Sequence, residues 1–169
     1  MRQVTIIVTS FTLANAHIPS YPDSQNYQIL YRVPLYRIYV EGRDAANNLV
    51  QEDFEAIRFG VHKSTSSQPM VVGMAQAQTH TLSWEDISTM PGNAWRVYDG
   101  FFIHEGPEYP LNGNFGSIGC VEICGVSEWD RFNKVIKDLT GVNNYNQISN
   151  SNLLTAEYEI ATRPPLIQV

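Results

Sequence analysis

Between positions 101 and 125 the chain reads FFIHEGPEYPLNGNFGSIGCVEICG. A short apolar run, Phe101, Phe102 and Ile103, ends on His104. A loop of Gly, Pro and Asn follows and closes on Ser117, Ile118, Gly119 and Cys120, and a second apolar run starts at Val121. Runs this short, aromatic and β-branched and bounded by turn residues, read as strands. The stretch therefore places an imidazole at the end of one strand and a thiol at the start of the next. A loop between neighbouring strands brings those two ends together, which is the pairing that nucleophilic cysteine chemistry needs.

The rest of the chain supports a mainly-β fold. Val4, Ile6 and Val8 alternate with Thr5, Ile7 and Thr9, the pattern of a first strand. A leader peptide competes with that reading, because Ala14, Asn15 and Ala16 mimic an A-x-A cleavage site. The apolar region is short and broken by Thr and Ser, which favours the strand. Residues 17–26 read as loop. Residues 27–40 favour strand, with Pro34 dividing them or lying at an edge, and 41–48 form a polar turn. Residues 54–62 alternate as one strand, and 70–74 and 79–82 are further short strands. Ser83 is placed to cap a brief helix that Pro91 and Gly92 end.

Asp99-Gly100 is the preferred pair of a tight hairpin turn between residues 95–98 and 101–104. The best helix follows the thiol. Ser127 and Asp130 form a capping box, Trp129, Phe132, Val135, Ile136 and Leu139 share a face, and Gly141 stops it. Residues 143–152 read as loop and 153–161 as a last strand. The expected class is thus mainly β with one principal helix after Cys120, in a single domain over residues 1–169.

Composition narrows the function. With 43% hydrophobic and 17% charged residues the chain can bury a core. A net charge of −6 and no basic stripe argue against nucleic acid. No run reaches the about eighteen apolar residues of a membrane helix. Cys120 and Cys124 match no common zinc spacing, and no cofactor is called for. In an extended chain four residues span about 13 Å, whereas a disulfide needs Cα atoms within about 7 Å. Both cysteines are expected as free thiols, Cys120 exposed and acidic at a loop edge, Cys124 buried and inert.

His104, the fifteen residues that separate it from Cys120, and the Ser117-x-Gly119-Cys120 segment resemble the signature of the L,D-transpeptidase catalytic domain, YkuD-type. Ile118 stands where that family usually has a second His, and Glu122 where it often has Arg. The resemblance implies a β-sandwich-like fold and a cysteine acyltransferase or carboxypeptidase acting on peptidoglycan stem peptides. Cys120 is the implied nucleophile and His104 the base. The backbone carbonyl of Glu105 would orient the imidazole, Gly119 and Cys120 N–H groups would bind the oxyanion, and Ser117 would hold the loop. His80 is a spare candidate, Tyr98, Tyr109 and Phe115 are possible lining, and Gly116 with Gly119 lets the backbone turn. At Glu122 either the donor site differs, or another Arg such as Arg58 or Arg96 supplies the missing charge, or the usual substrate is no longer processed. The implied chemistry is ping-pong, through a thioester resolved by an amine or water, with neither metal nor cofactor.

A periplasmic or cell-envelope site of action follows from such a substrate. Delivery by a specialised secretion route, as an antibacterial effector with an immunity protein as partner, fits the small size. The rival reading is a non-catalytic wall-binding or partner-binding module of the same fold. A papain-like amidase fits less well, since those enzymes place Cys before His.

Overall fold

The computed structural model describes residues 1–21, 29–63, 68–87, 92–113 and 119–169. Strand accounts for 49% of the chain and helix for 15%, so the class is mainly β. Eleven strands are seen among the described residues: β1 (Val4–Ile18), β2 (Tyr31–Arg43), β3 (Leu49–Ile57), β4 (Gly60–His62), β5 (Met70–Val72), β6 (Gln78–Thr81), β7 (Ser83–Asp86), β8 (Asn93–Tyr98), β9 (Phe101–Glu105), β10 (Val121–Cys124) and β11 (Leu154–Tyr158). Two helices, α1 (Glu128–Thr140) and α2 (Tyr145–Asn150), lie between β10 and β11.

Nine strands form one mixed sheet in the order β6-β11-β1-β2-β3-β10-β9-β8-β7, and β4 pairs with β5 separately. The two ends of that order, β6 and β7, are separated in the chain by Leu82 alone. One continuous stretch thus pairs with β11 before Leu82 and with β8 after it. The sheet must curl until its edges meet there. Leu82 is buried at this seam and its N–H donates to the Leu154 carbonyl at 2.9 Å. Across the seam His80 stacks on Tyr98, ring centres 5.3 Å apart. Joining the edges removes the open ladder that an isolated sheet would present.

The first strand is central. Val4, Ile6 and Val8 are fully buried, and β1 pairs antiparallel with β2 and parallel with β11. Ala14 and Ala16 lie within this strand. The main core joins its apolar face to Ile38, Val40, Phe54, Ala56, Ile103, Val121 and Ile123, and α1 adds Phe132, Ile136 and Leu139. The helical face expected after Cys120 is therefore present, and Gly141 ends α1 at φ +73° with its N–H on the Lys137 carbonyl.

Several local expectations need correction. Ser83 starts strand β7 rather than capping a helix, because pairing with β8 satisfies its backbone. Pro34 does not divide two strands. It lies inside β2 beyond the last β2–β3 pair, Leu35 with Ile57, so its missing N–H breaks no bond to β3. The stretch 54–62 is two strands, interrupted at Arg58 and Phe59, since Arg58 is turned fully inward. Residues 145–150 are helical rather than loop. Asn144 caps them by accepting from the Gln147 N–H at 2.9 Å, and only Ile148 is buried, too little apolar periodicity to be seen in advance.

Ser127 is no side-chain cap either. It sits at φ +59° and makes no cap hydrogen bond, so the capping box with Asp130 is not formed. Left-handed backbone costs a non-glycine residue about 1 kcal/mol. Ser127→Gly is therefore expected to raise stability by a few tenths to about 1 kcal/mol in urea titration, whereas Ser127→Ala leaves it nearly unchanged.

Candidate functional site

His104 is the next-to-last residue of β9 and Cys120 immediately precedes β10. These two strands pair in parallel, Val121 beside Ile103 and Glu122 beside His104. Continuing the register by one residue sets Cys120 beside Phe102. With strands about 4.8 Å apart and about 3.3 Å per residue, the Cα atoms of Cys120 and His104 are then about 8 Å apart. An imidazole and a thiol on one face of the sheet are long enough together to span that separation. The hairpin that delivers His104 is the expected one, β8 and β9 about Asp99 at φ +50° and Gly100.

His104 is held from one side. Its Nδ1 lies 2.7 Å from the Glu105 carbonyl. A carbonyl only accepts, so Nδ1 carries the proton and the lone pair is left on Nε2, the arrangement of a general base. Burial lowers the imidazole to about 4, partly countered by the Glu105 carbonyl, which favours the charged ring. At neutral pH the ring is uncharged.

Cys120 departs from its expected setting. It is 7% exposed rather than open, and its thiol is raised to about 11 rather than acidic. Burial is the main cause. A backbone bond from Phe102 works against it, and the charge of Glu122 works with it. The sulfur also lies 3.8 Å from the Gly100 carbonyl. The pair at rest is thus a neutral thiol with a neutral imidazole, not a thiolate–imidazolium ion pair. Cys124 is buried as expected and free of any disulfide, and burial pushes its thiol higher still. Burial thus raises the Cys120 thiol less than that of Cys124.

Gly119 approaches the neighbouring backbone so closely that a Cβ there would lie 2.7 Å from the Gly73 Cα, and its φ is +107°. Only glycine fits both conditions. Glu122, where an Arg was the pattern, is 1% exposed and sits in register with His104 on one flank and Ile57 on the other. Gly106 leaves room for it, since a Cβ there would meet the Glu122 Cβ at 2.9 Å.

Neither proposed substitute for the missing Arg reaches into this site as a spare charge. Arg58 is fully buried and gives its N–H groups to the carbonyls of Thr9 (2.9 Å), Met74 (3.0 Å and 3.3 Å) and Glu159. Its guanidinium lies over the rings of Tyr36, Phe59 and Tyr158. Arg96 is on the surface, bonded to the Asp99 carbonyl and Glu85. Tyr158 is a neighbour that sequence reading missed. Its hydroxyl is pushed up by burial first and then by the charge of Cys120. As one apolar position in a terminal strand it carried no signal.

Tyr98 is half exposed and stacks on Phe101, whose ring edge meets Gly119. Tyr109 is exposed. Ser117, Phe115 and Gly116 lie outside the described residues. His17 and His62 lie away from the pair: His17 is close to Arg32, and His62 stacks with Tyr21. Among the described residues no group of His, Cys, Asp and Glu could hold a metal ion, and no helix is long and apolar enough to cross a membrane.

Comparison with protein-family models, with curated proteins and with solved structures gave no match.

Proposed function

We propose that this chain is a cysteine acyltransferase or peptidase acting on peptidoglycan stem peptides through a Cys120 thioester, as an L,D-transpeptidase-like or L,D-carboxypeptidase-like enzyme. The observation that carries the reading is the His104 Nδ1–Glu105 carbonyl bond of 2.7 Å in a strand paired with the one that Cys120 immediately precedes. It gives a base with one tautomer and one orientation.

The first step follows from the neutral resting pair. As Cys120 sulfur attacks the scissile carbonyl, its proton passes to His104 Nε2, so charge develops only as the C–S bond forms. The Gly119 and Cys120 N–H groups are the donors for the oxyanion. Collapse breaks the C–N bond, and the leaving amine takes the proton from His104. An amine or a water molecule then resolves the thioester with His104 as base again. Keeping both groups neutral until substrate excludes water suits a buried thiol.

A non-catalytic wall-binding or partner-binding module is the second reading. It is favoured by the burial of Cys120 and by the acidic Glu122 where the resembling family often has Arg. The two separate on purified muropeptides. Wild type is expected to remove or exchange the terminal D-residue of tetrapeptide stems, read by mass spectrometry, and Cys120→Ala to give none of these products. Muropeptides bound but unchanged by both proteins would leave the binding module standing. A cell-envelope site of action and an effector role go with the enzyme reading, and growth arrest on periplasmic but not cytoplasmic expression tests them.

A further inference from the structure

Gly119 turns against a wall. Its nearest non-neighbour atoms are the Gly73 Cα and N and the Phe101 ring, at 2.7, 3.1 and 3.1 Å from where a Cβ would stand. Gly73 belongs to a stretch, residues 71–75, whose carbonyls are tied from outside. Arg163 donates to the Val71 carbonyl at 3.0 Å and to the Gly73 carbonyl at 3.4 Å. Arg58 donates to Met74, and the Ala161 N–H to Ala75 at 2.8 Å. Gly73 cannot retreat, because it is packed on Phe59 and on the Arg58 carbonyl. A glycine within an apolar run often marks such close backbone approach. One face of the stretch is thus fixed by arginines and the other supports the residue before Cys120.

We infer that Arg163 is a positioning residue for Cys120, acting through the 71–75 strap and the Gly73–Gly119 contact. Its catalytic consequence rests on the proposed reading of the site, but its effect on the thiol does not. Arg163 is exposed, so removing it disturbs little packing. Without it the strap loses two charge-assisted bonds, Gly73 moves, and the turn at Gly119 loosens. Cys120 becomes more open while Cys124, on the other end of β10, does not.

The test is the pH profile of iodoacetamide alkylation, mapped by peptide for both thiols in wild type, Arg163→Ala, Arg163→Lys and Arg37→Ala. The last removes a partly buried arginine of β2 that pairs with Asp53. In Arg163→Ala, Cys120 alkylation near pH 8 is expected to rise roughly tenfold, the gain in thiolate from lowering the thiol by about one pH unit. Its profile shifts from about 11 toward the ordinary 9.0, Cys124 stays slow, and muropeptide turnover falls. Arg163→Lys restores part of the wild-type profile, since one ammonium reaches one carbonyl. An unchanged Cys120 profile overturns the inference, as does an equal rise at Cys124 or the same change in Arg37→Ala. Should wild type turn over no muropeptide, the enzyme reading fails, and the thiol profiles still decide this one.

Discussion

His104→Asn is expected to lose at least roughly a hundredfold in muropeptide turnover, the lower range of what a positioned general base contributes. Asparagine is chosen because its amide N–H can still donate to the Glu105 carbonyl that Nδ1 now serves at 2.7 Å. Alanine would leave a cavity at a residue only 5% exposed and orphan that carbonyl. Loss of turnover in His104→Ala would thus mix chemistry with folding. A folded Asn variant with more than about a tenth of wild-type turnover would remove His104 as the base.

The same variant has a pH signature in stability. The ring's ordinary value is 6.5 and burial lowers it to about 4 in the folded protein. Above 6.5 the ring is neutral folded or unfolded and contributes no pH dependence. Between 6.5 and 4 the unfolded chain takes up a proton that the folded one refuses, so stability falls as pH falls. Below 4 both forms are protonated and the loss is complete. The loss approaches 1.4 kcal/mol per pH unit and totals on the order of 3 kcal/mol. Groups common to wild type and variant contribute to both curves. The difference between wild-type and His104→Asn urea titrations from about pH 7 to 4 isolates the histidine. Parallel curves would mean the ring is not held neutral by burial.

What the sequence showed depended on how local the cause was. The β8–β9 hairpin, the amphipathic face of α1 and its Gly141 stop were legible because a turn pair or a periodicity of a few residues decides each of them. So were two free cysteines, since an extended β10 keeps them apart. Closure of the sheet was not, because it is set by Leu82, one residue between two short strands whose partners are remote in sequence. Helix α2 was not legible either, since Ile148 is its one buried residue and no apolar periodicity marks it.

At the site, the pairing of the strand that carries His104 with the one that follows Cys120 was visible in the order of residues, whereas the protonation states were not. Gly119 at a loop edge suggested exposure, yet the glycine is there because Gly73 presses on it. That contact joins segments 46 residues apart, as the numbers 73 and 119 show, and no local pattern encodes it. Burial by such distant segments raises the thiol and lowers the imidazole. Arg58 was the one warning. A cation in the apolar run FEAIRFGVH had to be either at the surface or fully satisfied inside.

Arg58→Met is expected to be the most destabilising single change outside the site, lowering unfolding free energy by on the order of 3 kcal/mol. Two effects oppose each other. Methionine fills similar volume and removes a buried charge whose desolvation already lowers the guanidinium below its usual range. That gain would win if every partner left with the charge. The partners stay: carbonyls of Thr9, Met74 and Glu159 each lose a donor. Each buried acceptor left without one costs about 1–3 kcal/mol, and three such losses exceed the gain. The rings of Tyr36, Phe59 and Tyr158 lose their cation contact as well. Thr9 and Glu159 follow the last β1–β11 pair, Val8 with Tyr158, where the Glu159 N–H already bonds the Val8 carbonyl, and Arg58 ties the Met74 stretch to this junction. Arg58→Lys is expected to fall nearly as far, because one ammonium cannot span three carbonyls. The check is the urea midpoint of both variants against wild type. A midpoint for Arg58→Met at or above wild type would show that relief of the buried charge outweighs the carbonyls it leaves behind.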